Sequence, residues 1–412
     1  MNSGENTMMS KIAGLCAGAF LWLAAAAPAK AQISDDAVRL VVLNDQSSAY
    51  SDTSGRGSVV AAELAVEDFG RTVAGKPIQV VGADHQNKVD LAATLVKRMI
   101  DGDRADAFFD IANSGVSLAI QDTIRQANKV VVHVGSGNVD LVGKACTPNS
   151  ALWLYDTHAL AKGLATALLS ERHRRWFLLT ADYAFGHAMQ RDMTDTLRQR
   201  GGEVVGSVRH PLNTMDFGSF LFQGAGANLQ VLALLNAGAD TTGAIKQAAE
   251  FGMMRNGVKL AVPIFTIVNV KAIGLDLSQG TTFLAGYYWD RDDPSRAFAR
   301  RFEARMGRPP THAQAAVYSA VLHYLKSVEA SGTDAGDRVM AQMKELPVND
   351  FMTANARLRA DGRLMRDMLL VEVKTPAESR GAWDLMHVRA TIAAGDMIKP
   401  VEESECPLAR RS

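Results

Sequence analysis

The residues of this chain best suited to chemistry are small and polar, and they recur just after short apolar runs. The first group is Asn44-Asp45-Gln46-Ser47-Ser48-Ala49-Tyr50-Ser51-Asp52, in which Tyr50 and Asp52 are candidate ligand contacts. Asn113 and Ser114 stand before a helical stretch at Val116–Asn128, and Gly135-Ser136-Gly137-Asn138 follows VVVHV. TADYAFG places Tyr183 and Phe185, and NAGAD runs from Asn236 to Asp240. A serine at a helix start leaves neighbouring backbone N–H groups able to hold a carboxylate, helped by the helix dipole. Ordinary capping is the plainer role for Ser114 taken alone. Glycines at 135 and 137 permit a ligand to approach the backbone closely. The shared chemistry is hydrogen bonding to a small anion.

Reaction chemistry has no comparable footing. G-x-x-x-x-G-K-[ST] is missing, since Gly75-Lys76 is followed by Pro77, and H-E-x-x-H, C-x-x-C and G-x-S-x-G do not occur. Gly135-Ser136-Gly137 begins like a dinucleotide fingerprint, but Asp140 stands where the third glycine belongs. The nine histidines are scattered without metal-ligand spacing, and His158 and His187 read as surface or helix-face residues. The expectation is a binder, with no catalytic residue, cofactor or metal.

The elements that must carry these loops alternate regularly. Apolar runs at Val38–Leu43, Pro77–Ala83, Asp106–Ile111 and Lys129–Val134 form one block. Those at Trp176–Ala181, Glu203–Val208, Leu229–Leu235, Val258–Phe265 and Thr282–Trp289 form a second. Continuous apolar strands belong to parallel sheets covered on both faces. Helical stripes lie between them: Leu91, Leu95 and Met99, then Val116, Ile120, Ile124 and Ala127. A further stripe, Ala313, Val317, Ala320, Tyr324 and Val328, is opened by a T-x-x-Q box at Thr311 and Gln314. The pattern predicts an α/β protein of two Rossmann-like lobes with parallel sheets and right-handed crossovers. One lobe is expected from 36–155 plus 290–360 and the other from 156–289 plus 361–400, with 401–412 as a tail. In open α/β sheets the loops at the carboxyl ends of strands form the ligand edge, so the groove between the lobes is the expected site.

Composition narrows the class. The 412 residues carry 44 Lys+Arg against 44 Asp+Glu, and 47% are hydrophobic. A neutral chain lacks the basic face that nucleic-acid binding requires, and no polybasic run suggests a membrane patch. Lys11 opens an apolar segment that ends in Ala29-Lys30-Ala31, which reads as a signal peptide over 1–31 cleaved after Ala31. A retained N-terminal anchor is the alternative. Leu15 before Cys16 argues against lipid attachment, and Cys146 and Cys406 remain as an even pair in an oxidising compartment. A disulfide is expected between them, with two separately buried thiols left open.

Several stretches in order, GSGNVDLVGKACTPN, TADYAFG, MDFGSF, AIKQAAEFG, AGYYWD and PPTHAQAAVYSAVLHYL, resemble solute-binding proteins of the leucine/isoleucine/valine-binding type. The resemblance covers Val38 to Ile392. It implies a type I periplasmic-binding fold with three crossover segments, a periplasmic location, hinge closure on a small-molecule ligand, and permease and ATPase partners. A monomer is expected. A sensory module of the same fold is the alternative, without transport.

Carried over, the resemblance puts a ligand carboxylate against Asn113-Ser114 and Gly135-Ser136-Gly137. It puts aromatic contacts at Tyr50 and Phe185, and a crossover at Trp153, Tyr155 and Asp156. Gly137 departs from it by standing where the family places a threonine hydroxyl. A second departure concerns the ammonium of an amino acid, which relatives meet with an acid after the strand matching VKLAVPIF. Here Pro263–Val270 contains none, and Asn269 cannot balance a cation. An organic acid or amide is therefore expected, aromatic in view of Tyr50, Tyr183 and Phe185. Supply of the missing charge by Asp240 or Asp52 would instead make the protein a branched-chain amino-acid binder.

Overall fold

Strand β1 (Val38–Asn44) is buried along almost its whole length because it lies in the middle of a sheet. In the computed structural model, which describes residues 32–411, it is followed by α1 (Gly55–Phe69), β2 (Lys76–Asp84), α2 (Val89–Asp101), β3 (Ala107–Asp110), α3 (Ser114–Gln126), β4 (Val130–His133) and β5 (Ser150–Leu152). The expected leader lies outside the described residues. The pairings run β2-β1-β3-β4-β5, all parallel, with the short strand Thr72–Val73 antiparallel at the β2 edge. Strands β3 and β4 are buried at every position, as their unbroken apolar runs require.

The second lobe repeats the plan. It contains α4 (Thr157–Ser170), β6 (Arg175–Ala181), α5 (Ala184–Gln199), β7 (Glu203–His210), α6 (Gly218–Ala225), β8 (Val231–Leu235), α7 (Gly238–Glu250), β9 (Lys259–Ala261) and α8 (Ile267–Ile273). Its parallel sheet has the order β9-β8-β6-β7. Strand β9 is shorter than the apolar run Val258–Phe265 predicts. Pro263 has no N–H to give a ladder, and the chain turns there toward α8.

Beyond β10 (Thr282–Ala285), helices α9 (Asp293–Met306), α10 (His312–Ser331) and α11 (Gly336–Glu345) return to the first lobe. Fifteen of the twenty residues of α10 are buried, so it is a central helix rather than a one-sided one, wedged against α1, α11 and β3. Strands β11 (Met368–Val373) and β12 (Met386–Ile392) pair antiparallel with each other and with β10. This three-stranded sheet departs from the all-parallel expectation. The chain is α/β, two lobes with parallel sheets joined by three crossovers. Among the described residues no helix is long and apolar enough to cross a membrane.

The crossovers meet at a buried ion pair. Arg363, 1% exposed, donates from Nε to Asp156 Oδ2 at 2.7 Å, and its Nη1 reaches the carbonyls of Leu152 and Leu364. Nearby, Cys146 and Cys406 form a disulfide with Cα atoms 5.7 Å apart, fastening the tail to the loop after β4.

Candidate functional site

Six helices begin around one cavity between the lobes. From the first lobe come Ser54, the cap of α1, and Ser114, the first residue of α3. His312 and Ala313 come from the start of α10. The second lobe supplies Tyr183 and Phe185 at the start of α5, Ala237 capping α7 and Thr266 capping α8. Thr53, Ala112, Gly135, Tyr155, Tyr50 and Ile264 complete the wall, and no Asp, Glu, Lys or Arg belongs to it. Each helix start carries partial positive charge from the helix dipole, although some first-turn N–H groups are already given away: those of Gly115 and Val116 to Asn113 Oδ1, that of Ala239 to the Ala49 carbonyl and that of Gln314 to Thr311 Oγ1. These helix starts converge on a wall that carries no charged side chain.

The lobes touch across this cavity. Tyr50 donates its hydroxyl proton to the Tyr183 hydroxyl at 2.8 Å, which leaves the Tyr183 proton for another acceptor. The Ala239 N–H donates to the Ala49 carbonyl at 3.0 Å, also between lobes. Gly238, at φ +62°, makes that approach possible: a Cβ there would sit 2.2 Å from the Ala49 oxygen. The cavity left between the lobes is about 30 Å³, roughly the space of a single water.

Charges lie behind the wall. Asp110 is fully buried and accepts from Ser54 Oγ at 2.6 Å and Asn44 Nδ2 at 2.9 Å, so the Ser54 oxygen is left as an acceptor. Burial pushes the Asp110 carboxyl above its usual range. Arg366 is 2% exposed and bonds to the Gly286 carbonyl at 2.6 Å. Its Nε has no hydrogen-bond partner among the described residues, and burial lowers its pKa to about 10. Burial also pushes Asp240 up to about 7 and raises both Tyr50 and Tyr183.

Of the residues singled out in the sequence, Tyr50, Ser114, Gly135, Tyr155, Tyr183 and Phe185 come together on the cavity wall. Seven others have different neighbours. Asn113, rather than Ser114, caps α3, accepting from Gly115 N at 2.8 Å and Val116 N at 3.2 Å. The Ser136 hydroxyl is turned inward, bonded to the Ile111 carbonyl and to Ser117 Oγ. At Gly137 a Cβ would meet the Tyr155 ring at 2.9 Å, which explains why no larger residue stands there. Asp52 is exposed, and its carbonyl accepts from Arg308. Asn236 bonds His210 and Thr241. Asp240 accepts from Asn213 N at 3.2 Å.

Asn269 is fully engaged: it accepts from Thr266 N and Oγ1 and donates to Gly238 O and Thr242 Oγ1. It builds the start of α8 rather than offering a free group. The sequence reading missed Thr53, Ser54, Thr266 and His312. The cap positions of Thr266 and Thr311 were the available signal, since a helix start at a strand's carboxyl end is where a ligand is met.

A larger cavity of about 340 Å³ opens beside the crossovers, walled by Asp140, Asp156, Arg191, Asp192, Arg359 and Arg363 among others. Several of its charges are paired within the wall: Asp156 with Arg363, and Asp140 with Arg191 at 3.3 Å. The helix starts that surround the interlobe cavity do not converge there.

The family model described as periplasmic binding protein matches residues 37–381. A crystal structure of a periplasmic binding protein from Burkholderia mallei is 42% identical, with a TM-score of 0.88, over 90% of this chain and 99% of that one. A branched chain amino acid ABC transporter periplasmic ligand-binding protein from Burkholderia xenovorans LB400 is 38% identical, with a TM-score of 0.81, over 90% and 100%. An ABC transporter solute binding protein from R. palustris in complex with benzoate is 20% identical and shares the fold, with a TM-score of 0.80 over 90% and 100%.

Proposed function

Because the chain belongs to the periplasmic binding protein family, whose members bind solutes rather than transform them, we propose that it is the extracytoplasmic substrate-binding component of an ATP-driven importer. It captures a small carboxylate-bearing solute between its lobes by hinge closure. One observation carries the ligand class: six helix starts face a cavity whose wall has no charged side chain. Backbone N–H groups in that arrangement favour an anion. Behind the wall the buried groups Arg366 and Asp110 are of opposite kinds, so the reading rests on the wall itself, where an enclosed ammonium would find no carboxylate. The flat rings of Tyr155, Tyr183 and Phe185 suit an aromatic or branched aliphatic body.

A cavity of about 30 Å³ is far below the roughly 300 Å³ at which organic-ligand sites begin, so uptake requires the lobes to part. The leader, residues 1–31 cleaved after Ala31, would deliver the protein to the periplasm, where a permease and ATPase pair would take the cargo. The protein works as a monomer, with lobes at 36–155 plus 290–360 and 156–289 plus 361–400.

A branched-chain amino acid is the second reading. It is favoured by Asp240, whose charge acts on both Tyr50 and Tyr183, and by the description of the Burkholderia xenovorans relative. Calorimetry with leucine, its des-amino analogue 4-methylpentanoate, and benzoate separates the two. Tighter binding of either acid than of leucine is expected; tighter binding of leucine gives the site to amino acids.

A further inference from the structure

We propose that the His312 imidazole selects among organic acids, holding those that carry a hydroxyl on the ring over the unsubstituted acid. The proposal rests on the organic-anion reading of the cleft. His312 is 4% exposed, opens the twenty-residue helix α10 and belongs to the cavity wall. Its Nε2 is sealed from solvent and has no hydrogen-bond partner among the described residues.

Other buried histidines differ in a telling way. His210 bonds Asn236 and the Pro211 carbonyl, and His323 bonds the Met343 carbonyl; His85 accepts from Asn87 N at Nδ1, and its unpartnered Nε2 lies off the cavity wall. His133 also lacks a partner, but it is a β4 residue inside the first lobe's sheet, off the cavity wall. His312 alone combines an unpartnered imidazole nitrogen with the ligand cavity. Burial, with the nearby Arg366 charge added, brings its pKa down to about 4. At neutral pH the ring is therefore neutral, with one donor and one acceptor nitrogen, and Nε2 is unpartnered.

The surroundings fix what this ring meets. Its edge contacts Tyr155, with centroids 5.7 Å apart, so it lies beside the aromatic part of the wall. Together with Thr266 it also walls a second small cavity lined by Phe265, Phe283 and Tyr288. The Thr266 hydroxyl is already given to Asn269. That leaves His312 as the polar group at the boundary between the two spaces. A ligand ring lying against Tyr155 brings its substituent to this boundary, where a hydroxyl gains a partner and a bare C–H leaves the imidazole unpaired. Sites built to bond a hydroxyl discriminate strongly against analogues lacking it.

The test is calorimetric titration of the mature protein with benzoate and its three monohydroxylated forms. At least one hydroxybenzoate is expected to bind at least about tenfold more tightly than benzoate. The preference is expected to vanish in His312→Phe and to persist in His312→Gln, which keeps a donor and an acceptor. On the folded wild type, the His312 imidazole nitrogen resonances should move with the preferred hydroxybenzoate and stay in place with benzoate. Equal binding of all four acids, or a preference retained by His312→Phe, overturns the role of His312 while the organic-anion reading stands. Binding of leucine with none of the acids overturns both.

Discussion

Asp156 and Arg363 meet at 2.7 Å with both side chains almost wholly out of water, although 207 residues separate them in the chain. The other Asp156 oxygen accepts the Ala159 N–H at 2.8 Å and so starts α4. One carboxylate therefore ties the first crossover to the third and fixes the helix leading into the second lobe. Removing one partner strands the other as an uncompensated buried charge. Arg363→Met is expected to lower stability by about 3–5 kcal/mol, read from the urea midpoint, and the double variant Asp156→Leu/Arg363→Met to recover part of that loss. A single variant as stable as the parent would mean the pair is not what holds the crossovers.

The Tyr50–Tyr183 bond is a direct link between lobes, and a neutral hydrogen bond is worth about 0.5–1.5 kcal/mol. Tyr183→Phe should therefore weaken this shut form, whose cavity of about 30 Å³ has no room for an organic ligand, and raise ligand affinity by roughly two- to tenfold. Small-angle scattering should show a larger radius of gyration for the unliganded variant. An unaltered radius and dissociation constant would show that the bond adds nothing to closure.

The disulfide encloses 260 residues of sequence. In the chain-entropy treatment such a loop constrains the unfolded state by roughly 5 kcal/mol, an upper figure for measured bridges. Cys406→Ser is expected to lower the melting temperature while leaving ligand affinity unchanged, because neither cysteine is on the interlobe cavity wall. Two reactive thiols in unfolded, unreduced parent protein would remove the basis of this expectation.

Asp240 gives a pH signature. Burial raises its folded pKa to about 7 from an ordinary value near 4, so the folded protein holds this proton more tightly than the unfolded chain. The group's stability contribution is complete below pH 4 and is lost as pH rises toward 7, at up to about 1.4 kcal/mol per unit. Asp240→Asn should thus gain stability relative to the parent between pH 4 and 7 and keep a constant difference above. A difference that is flat across pH 4–7 in parallel urea titrations would place the ionisation elsewhere.

How far the sequence reaches can be judged at particular residues. Strands β3, β4 and β8 fall within their apolar runs, and β1 and β6 overrun theirs by one residue, because burial on both faces demands continuous apolar side chains. The antiparallel sheet was not visible: LLVEVK reads as one more apolar run, and its pairing with β10 and β12 depends on where the third crossover returns the chain. At the site, the aromatic residues could be chosen because bulky rings after strands have few other places to go. The inward turn of Ser136 depends on Ser117 and Ile111, about twenty residues away, and no local pattern records it. His312 was passed over because a single histidine at a helix start has no spacing to distinguish it.

The contact of Gly238 with the Ala49 carbonyl has a consequence for how such a protein diversifies. The limit of closure is set by main chain against main chain, so it works as a gauge independent of the cavity's side chains. On the proposed function, replacements at Tyr50, Ser114 or Phe185 would change which cargo fits, while the main-chain stop at Gly238 would stay where it is. Position 238 is where that separation fails: a methyl group there is a wedge at the rim, spoiling the shut form for every cargo at once.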